Sequence, residues 1–468
     1  MSAGQTIERT DWSLDRRAFW AITVAGSSLA VIMLDATGVN LAFPLIEEAF
    51  PDTSRATLAW MPTGYSMALA ALMMLAGRLA DSIGRRRIFR IGMVVFGVSS
   101  LLSAVVAHPL AIIALRFVTG SGGALVMATG LALALPEFPA HRRSMAVGIF
   151  GSIGALAVAL GPPLAATAVE LLGWRGVFLI APGLALPVAL LAPRAVQEYA
   201  RDPADDGHRV GLIDWLGAAL GTIGIGALIL ALLETSRSGW TDPRALAAFA
   251  VALTALPTFV RRCTTQAEPL LDLDLFKSRH FAVGNIFQAW TQLPLYAWMF
   301  STPIFLVNVW GWSVWAAGLA LGLPMLLSFS AIPAGRYVER VGHRRILAAG
   351  AVCGLASSVW LLAMMGDDPD RWWVWIPEIL IWGLSTGLAG TMGSSASLHG
   401  ITEERLGQAN AAHMTIRRLG QAFGPVLVVV ALGGDRATAD NLSSFQTLWW
   451  VLVVLWSLAI VAALAYPD

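Results

Sequence analysis

The sequence predicts an all-α membrane protein that crosses the bilayer many times and contains two related halves. Of its residues, 57% are hydrophobic and 13% are charged, against roughly 25% charged residues in soluble domains. Apolar runs recur along the chain, each long enough to cross a hydrocarbon core of about 30 Å as a helix. Their residues do not alternate between polar and apolar, as membrane strands would. A charged turn that occurs twice indicates the repeat.

The first copy of this charged turn runs from Gly77 to Arg87, and the second runs from Gly335 to Arg345. In each copy the first glycine would let two helix ends approach closely, and the second would permit a sharp reversal. The arginines that follow are typical of the cytoplasmic side of a membrane protein. The bland alternative is two ordinary basic loops. The predicted gating residues are Gly77, Arg78, Asp81, Gly84, Arg85, Arg86, Gly335, Arg336, Gly342 and Arg344.

Hydropathy along the chain predicts fourteen membrane spans, so both termini should lie on one side. The spans are roughly 19–44, 57–79, 88–107, 109–135, 143–167, 174–192, 212–233, 244–262, 281–308, 313–334, 346–365, 373–398, 408–431 and 446–466. With the termini inside, six basic residues fall outside the cell: Arg55, Arg175, Arg237, Arg244, Arg371 and Arg436. Most of the others are then cytoplasmic, which favours this orientation.

The spacing of the two charged turns explains the number fourteen. Six helices need fewer residues than the distance between the turns, and the surplus is a pair of helices between two polar linkers. The sequence therefore predicts an N-terminal six-helix half (1–192), a linker with two extra helices (193–280) and a C-terminal six-helix half (281–468). Gly154 to Pro162 is echoed by Gly420 to Pro425, which supports the duplication.

The charged turn resembles the signature between helices 2 and 3 of the major facilitator superfamily. The run from Leu34 to Pro44, with Asp35, Thr37 and Asn40, is similar to the helix-1 signature of the fourteen-helix drug:proton antiporters in that superfamily. The resemblance implies a major facilitator fold, coupling roles for Asp35 and Arg116, and export as the direction associated with the helix-5 motif. In this chain that motif is Gly154, Gly161 and Pro162, followed by alanines where the family pattern has glycines. Thr119 also replaces the glutamine of the helix-4 pattern.

Asp35 is the strongest candidate for chemistry on its residue type alone. A charged side chain within a span costs roughly 2.5–3.5 kcal/mol on insertion scales and is seldom kept without a use. Asp35 and Arg116 are predicted at nearly the same depth, so they could meet across a cavity. A movement that changes their separation would let Asp35 bind and release a proton. The alternative is a permanent ion pair that holds helices 1 and 4 together.

Other polar residues recur at helical spacing within spans, which marks a face turned away from lipid. Such faces either line a water-filled cavity or form hydrogen bonds between helices. For Glu378, which lies just inside a tryptophan-rich run, a place in the aromatic belt is the alternative. The predicted cavity residues are Asn40, Tyr65, Asn285, Gln288, Gln292, Tyr296, Glu378 and Arg417.

The function indicated is proton-coupled efflux of hydrophobic, neutral or monocationic small molecules. The sequence has no phosphate-binding loop for ATP and no paired histidines or cysteines at metal-ligand spacing, so we expect no cofactor, no metal and no enzymatic activity. The expected partners are a small-molecule substrate, protons and the lipid bilayer of the cell membrane, with no nucleic acid, and the protein should work as a monomer. The alternatives are a facilitator or symporter for a metabolite and, more remotely, a membrane receptor.

Overall fold

The computed structural model describes residues 16–139, 143–196, 214–266, 269, 271–366, 372–401, 403–433 and 442–467. Helices account for nearly all of them, and these residues contain no strand. Ten stretches within the described helices are long and apolar enough to cross a membrane. The all-α prediction is confirmed, whereas the count of fourteen spans stays a prediction.

The N-terminal half is built from long helices joined by short turns. They are α1 (Arg16–Ala49), α2 (Arg55–Leu58), α3 (Trp60–Ile83), α4 (Arg85–Val105), α5 (Pro109–Ala134), α6 (Arg143–Leu172) and α7 (Val177–Ala195). Glycines on α5 let neighbouring helices come close, because a Cβ at Gly122 would lie 2.8 Å from the backbone nitrogen of Phe96 on α4. Small residues at such contacts are typical of helices that pack within a membrane.

Two further helices and the C-terminal half follow. They are α8 (Trp215–Ser238), α9 (Pro243–Thr265), α10 (Arg279–Ile304), α11 (Val314–Leu326), α12 (Ala331–Val341), α13 (His343–Met364), α14 (Trp372–Ser385), α15 (Met392–Ser397), α16 (Glu403–Leu432) and α17 (Leu442–Leu464). Short π-helical segments follow α10 and α14, at Phe305–Val309 and Thr386–Thr391. Such segments mark places where a helix can bend.

The second glycine of each charged turn makes the reversal that the sequence predicts. Gly84 separates α3 from α4 with a φ of 110°, and Gly342 separates α12 from α13 with a φ of 81°. Residues with a Cβ rarely adopt this backbone conformation. We call the end of the bundle that carries these two turns the charged-turn face, and the other end the opposite face.

The two halves meet near the opposite face. On α11, a Cβ at Gly318 would lie 2.9 Å from the carbonyl oxygen of Pro162, and one at Gly322 would lie 2.8 Å from that of Ala159. The rings of Phe43 on α1 and Phe300 on α10 also pack against each other in a tilted arrangement, with centroids 4.5 Å apart. These contacts involve the last parts of α1, α6 and α10 and the first part of α11. The structure therefore describes a conformation that is closed near the opposite face.

The pair α8 and α9 forms a hairpin beside the seam between the halves. Its charged-turn end is fixed by Asp214, which caps α8 at the nitrogen of Gly217 and pairs with Arg262 on α9 at 2.7 Å. Near the opposite face, Ile229 and Leu233 of α8 pack in one apolar cluster with Met67 of the N-terminal half and Val426 of the C-terminal half. The hairpin thus contacts both halves through α8.

Candidate functional site

Asp35 and Arg116 form a buried, bidentate ion pair. Arg116 Nη1 donates to Asp35 Oδ1 at 3.0 Å, and Arg116 Nη2 donates to Asp35 Oδ2 at 2.7 Å. Both side chains are 0% exposed. Ser100 on α4 donates a longer bond of 3.4 Å to Asp35 Oδ1. The prediction that these two residues meet is confirmed, and the contact ties α1 to α5.

Two nearby residues, Tyr65 and Thr119, bear on how the Arg116 side chain is held. The Arg116 guanidinium carbon lies 4.4 Å from the centre of the Tyr65 ring, a geometry that favours cation–π attraction. Thr119, which stands in place of the glutamine expected from the family pattern, hydrogen-bonds with Ser99 at 2.8 Å. Asp35 therefore supplies the hydrogen bonds that orient Arg116, and Thr119 instead links α5 to α4.

A small pocket adjoins the ion pair and takes residues from both halves. Its volume is about 20 Å³, close to the space of one water molecule. Arg116 and Tyr65 form part of one wall, and Gln421 on α16 donates a hydrogen bond to the hydroxyl of Tyr296 on α10 at 2.5 Å across from them. The lining residues are Ala36, Asn40, Pro62, Tyr65, Ser66, Arg116, Tyr296, Gln421 and Pro425.

Three of the predicted cavity residues, Asn40, Tyr65 and Tyr296, line this pocket. Gln421 also does so. It ends a polar stripe on α16 that consists of Asn410, His413, Arg417 and Gln421, and for this stripe the sequence left two alternatives open, a cavity lining and a structural role. Arg418 donates to the Gln421 Oε1 atom at 2.6 Å and so fixes the amide that faces the pocket. A side chain held in this way is suited to present a hydrogen bond to a ligand.

The other polar residues of α10 and α16 join helices of the C-terminal half. Gln288 donates to Ser394 Oγ at 3.1 Å, and Arg417 donates to the same oxygen at 3.2 Å. The Asn285 side-chain oxygen lies 2.9 Å from His413 Nδ1. Gln292 is buried against Gly420. None of these residues lines the small pocket in this conformation, so their predicted cavity role stays a prediction.

Glu378 lies inside the C-terminal half, away from the pocket. Its Oε1 atom accepts hydrogen bonds from Trp298 Nε1 at 2.9 Å and from Ser357 Oγ at 2.7 Å. The residue is 0% exposed, so it is not an anchor at the membrane surface. Its predicted place in the cavity is not realised in this conformation.

The helix-5 motif lies where α6 contacts its neighbours most closely. A Cβ at Gly161 would overlap the Thr37 hydroxyl on α1, and one at Gly154 would lie 2.6 Å from the side chain of Leu29. Pro162, on another side of the helix, presents its carbonyl oxygen to Gly318. The motif thus joins α6 both to α1 within its own half and to α11 in the other half.

The predicted gating residues are only partly described. The side chains of Arg78, Asp81 and Arg336 lie outside the described residues. Arg86 donates to the carbonyl oxygen of Val196 at 3.4 Å, which connects the first turn to the end of α7. A Cβ at Gly77 or Gly335 would have no atom of the described residues within 4 Å. The close approach expected at these two glycines therefore stays a prediction.

Among the described residues, no group of three His, Cys, Asp or Glu side chains could hold a metal ion. The two cysteines, Cys263 and Cys353, are both free. The buried acidic groups of the described residues include Asp35, which pairs with Arg116, Glu47, which pairs with Arg55 at 2.7 Å, and Glu378.

Comparison with known proteins places this architecture in a family. The model of the Major Facilitator Superfamily matches residues 25–425. A methylenomycin A resistance protein of Streptomyces coelicolor is 28% identical over 422 residues, covering 90% of this chain and 86% of that protein. The cephamycin export protein CmcT of Amycolatopsis lactamdurans is 29% identical over 450 residues, covering 94% of this chain and 90% of that protein.

Solved structures show the same fold at low identity. The crystal structure of the nucleoside transporter NupG superposes with a TM-score of 0.61 at 13% identity, covering 97% of this chain and 98% of that one. The POT family transporter PepTSo gives a TM-score of 0.64 at 15% identity, covering 95% of this chain and 96% of that one. With the family match over most of its length, this chain is a multi-pass membrane transporter that belongs to the Major Facilitator Superfamily.

Proposed function

We propose that this protein exports hydrophobic small molecules from the cytoplasm in exchange for protons. The observation that carries the proposal is the buried Asp35–Arg116 pair beside a pocket lined by both halves. Two relatives are named for antibiotic resistance and for antibiotic export, which supports export as the direction. In this proposal the charged-turn face is cytoplasmic, because basic residues concentrate there.

The coupling follows from the chemistry of the ion pair. Arg116 keeps its charge under all physiological conditions, so it favours the ionised form of Asp35 while the two are in contact. When α1 and α5 separate, Asp35 loses its counter-ion within a low-dielectric site, and the protonated form becomes favoured. A change of conformation is thereby converted into the uptake or release of one proton by one carboxyl group.

In this proposal the small pocket is the substrate-binding site in a closed form, with space for about one water molecule. A pocket for a drug-sized ligand generally measures about 300–1,000 Å³, so the site must widen to receive a substrate. Because its walls come from α1, α3 and α5 on one side and from α10 and α16 on the other, separation of the halves widens it. Alternating access around such a site is how duplicated transporters operate.

The test is transport by the purified protein in liposomes that carry a pH gradient. When a substrate such as a hydrophobic antibiotic is added, the pH gradient should drive the uphill movement of that substrate and should be dissipated by it. The same liposomes with Asp35→Asn protein should retain the gradient. If the substrate only equilibrates across the membrane and the pH gradient does not change, the protein is instead a facilitator.

A further inference from the structure

The carboxyl group of Glu378 occupies an enclosure of tryptophan rings in the C-terminal half. Trp298 stacks on Trp382 with centroids 3.8 Å apart and on Trp375 with centroids 6.1 Å apart. One carboxyl oxygen, Oε1, accepts hydrogen bonds from Trp298 and Ser357. The other oxygen, Oε2, is buried and has no hydrogen-bond partner, and the indole nitrogens of Trp375 and Trp382 are likewise unpartnered.

No counter-ion contacts this carboxyl group within the described part of the chain. The neighbouring helices α11 and α17 contain no titratable residue, and Glu378 is the only one on α14. On α13 and α10 the basic groups lie toward the charged-turn face, about 18 Å from Ser357 and about 27 Å from Trp298 at 1.5 Å per residue. Those groups are His343, Arg344, Arg345, Arg279 and His280. The other titratable side chains on these two helices are the Cys353 thiol and the Tyr296 phenol, and neither can act as a cation. Residues 367–371, which include Asp367, Asp368, Asp370 and Arg371, lie outside the described residues.

The burial of Glu378 without a cation has a direct electrostatic consequence. An isolated carboxylate in an apolar interior is so costly that the group takes up a proton instead. The proton belongs on Oε2, because Oε1 is already engaged as an acceptor of two hydrogen bonds. The carboxylate then becomes a neutral carboxylic acid, and no other group in the enclosure needs to change its charge.

The enclosure is related to the Asp35 site by the internal repeat. In the N-terminal half, the site unites Asp35 on α1, Ser100 on α4 and Arg116 on α5. In the C-terminal half, it unites Trp298 on α10, Ser357 on α13 and Glu378 on α14. The spacing between the charged turns makes α10, α13 and α14 the counterparts of α1, α4 and α5. The buried acid therefore lies on the first helix of the N-terminal half but on the fourth helix of the C-terminal half. Its hydrogen-bond partner is the guanidinium of Arg116 in the N-terminal half and the indole of Trp298 in the C-terminal half.

Helix α10 connects this enclosure to the closed opposite face. Trp298, which donates to Glu378, is two residues from Phe300, which packs against Phe43 of the N-terminal half at 4.5 Å. Pro294 and Pro303 and a π-helical segment lie in the same region, and such features allow a helix to bend locally. A movement of α10 that breaks the Phe43 contact would therefore also withdraw Trp298 from Glu378.

We infer that Glu378, held by Trp298 and Ser357, is a second proton-binding site, protonated while the opposite face is closed and ionised when that face opens. In the opening step, water reaches Oε2 as α10 moves, and the carboxylic acid releases its proton to that water. In the closing step a proton binds again before the tryptophans enclose the carboxyl. The inference rests on the proposed function for its role in the transport cycle, but its chemistry is testable without transport.

The first experiment detects the carboxylic acid itself. Infrared difference spectra of the purified full-length protein, recorded between low and high pH, should contain a carbonyl band from a protonated side chain. Glu378→Gln should lose this band, and Asp35→Asn should retain it. The glutamine amide oxygen can still accept from Trp298 and Ser357, so this variant should fold. Glu48→Gln, which changes an exposed glutamate on α1, is the matched control. A Glu378→Gln spectrum identical to that of the parent would overturn the inference.

The second experiment measures opening of the opposite face. With Cys263 and Cys353 replaced by serine, spin labels at Leu172→Cys on α6 and Trp315→Cys on α11 report the distance between the halves. Raising the pH should lengthen this distance in the parent and in Glu378→Asp, and should leave it short in Glu378→Gln. An unchanged pH response in Glu378→Gln would overturn the inference. So would a Glu378→Gln defect confined to binding of cationic substrates, since that would make Glu378 a substrate contact.

The two proposals fail separately in these measurements. Normal uphill efflux by Asp35→Asn would refute the proposed coupling role of Asp35. It would not change what is expected of the infrared band of Glu378. If the parent protein has no carbonyl band from Glu378 at any pH, the second proton-binding site is refuted. The efflux result for Asp35→Asn is unaffected by that outcome.

Discussion

At the scale of single residues, the Asp35–Arg116 pair combines a stabilising contact with a chemical role. Removing one partner of a buried ion pair typically costs about 3–5 kcal/mol, because the other charge is left without compensation. Arg116 is 0% exposed, so it depends on Asp35 for neutralisation. The sequence left open whether this pair is permanent or moves during function, and a substitution series can separate the two.

We expect Asp35→Asn to abolish uphill efflux in liposomes, because asparagine cannot take up a proton. Some loss of stability should accompany it, since Arg116 is left unpaired. The double variant Asp35→Asn/Arg116→Gln removes both charges and should recover stability without recovering efflux. The measurements are substrate accumulation against a gradient and the midpoint of thermal unfolding.

The control for this series is Asp52→Asn, because Asp52 is exposed in the connection after α1. It should behave as the parent protein in both assays. Recovery of uphill efflux in the double variant would show that the pair is structural only, and the coupling role would pass to another acid.

At the scale of helices and turns, glycines fix how closely and at what angle elements meet. Gly84 allows α3 to end and α4 to begin at once, and Gly318 allows α11 to lie against the backbone of α6. The proline pair of α6, Pro162 and Pro163, lies at this contact. Since Pro162 has no backbone N–H, it leaves a carbonyl of the preceding turn without its usual helical partner. The helix-5 motif thus places a proline, which weakens the backbone hydrogen bonding of α6, at the contact between the halves.

Gly84→Ala should destabilise the protein, because a side chain at a φ of 110° is strained by of order 1–3 kcal/mol. The measurement is the thermal unfolding midpoint in detergent. Gly77→Ala is the matched variant in the same turn: Gly77 is helical with open space around it, so it should keep or raise that midpoint. A Gly84→Ala protein as stable as the parent would contradict the assigned turn geometry.

Gly318→Leu should shift the protein away from the conformation closed near the opposite face. The added side chain would collide with the Pro162 carbonyl oxygen and with Ala166, and a backbone contact cannot yield by changing a rotamer. Reactivity of a cysteine placed at Phe43 toward a water-soluble thiol reagent should rise. Gly183→Leu on α7, where no atom of the described residues lies within 4 Å of the added Cβ, should leave that reactivity unchanged.

At the scale of the whole molecule, the halves enclose a pocket that has no unpaired carboxylate among its described lining residues. Asp35 is neutralised by Arg116, and Glu378 lies elsewhere in the C-terminal half. The extra hairpin of α8 and α9 packs on both halves near the opposite face, through the cluster that contains Ile229 and Val426. When the two halves rock relative to each other, they must therefore either slide against α8 or move together with it.

We expect divalent cations to be poor substrates, because each buried positive charge without a partner has a large desolvation cost. Neutral and monocationic aromatic compounds of similar hydrophobicity should be exported well. The measurement is a resistance and efflux panel in a host that lacks its own pumps, with the Asp35→Asn protein as the inactive control. Efficient export of divalent antiseptics that is lost in Glu378→Gln would contradict the expectation and place Glu378 in the substrate path.

The sequence by itself determined the helical membrane class, the repeated halves and the meeting of Asp35 with Arg116. These features were accessible because they depend on composition, on spacing along the chain and on depth within a helix. A charged residue in an apolar span is conspicuous, and the rise per residue places two of them at the same depth. The turn at Gly84 was predictable for the same reason, since a local backbone requirement selects glycine.

Only the tertiary structure decided which polar side chains face the pocket and which join helices. Gln288 and Tyr296 lie on the same stripe of α10, yet the first contacts Ser394 and the second lines the pocket. The rotation of a helix about its axis depends on how neighbouring side chains interlock, and in a membrane protein apolar residues on every face leave that rotation unspecified by hydropathy. The same reason kept Glu378 from being placed among its tryptophans, and kept the closed opposite face from being foreseen.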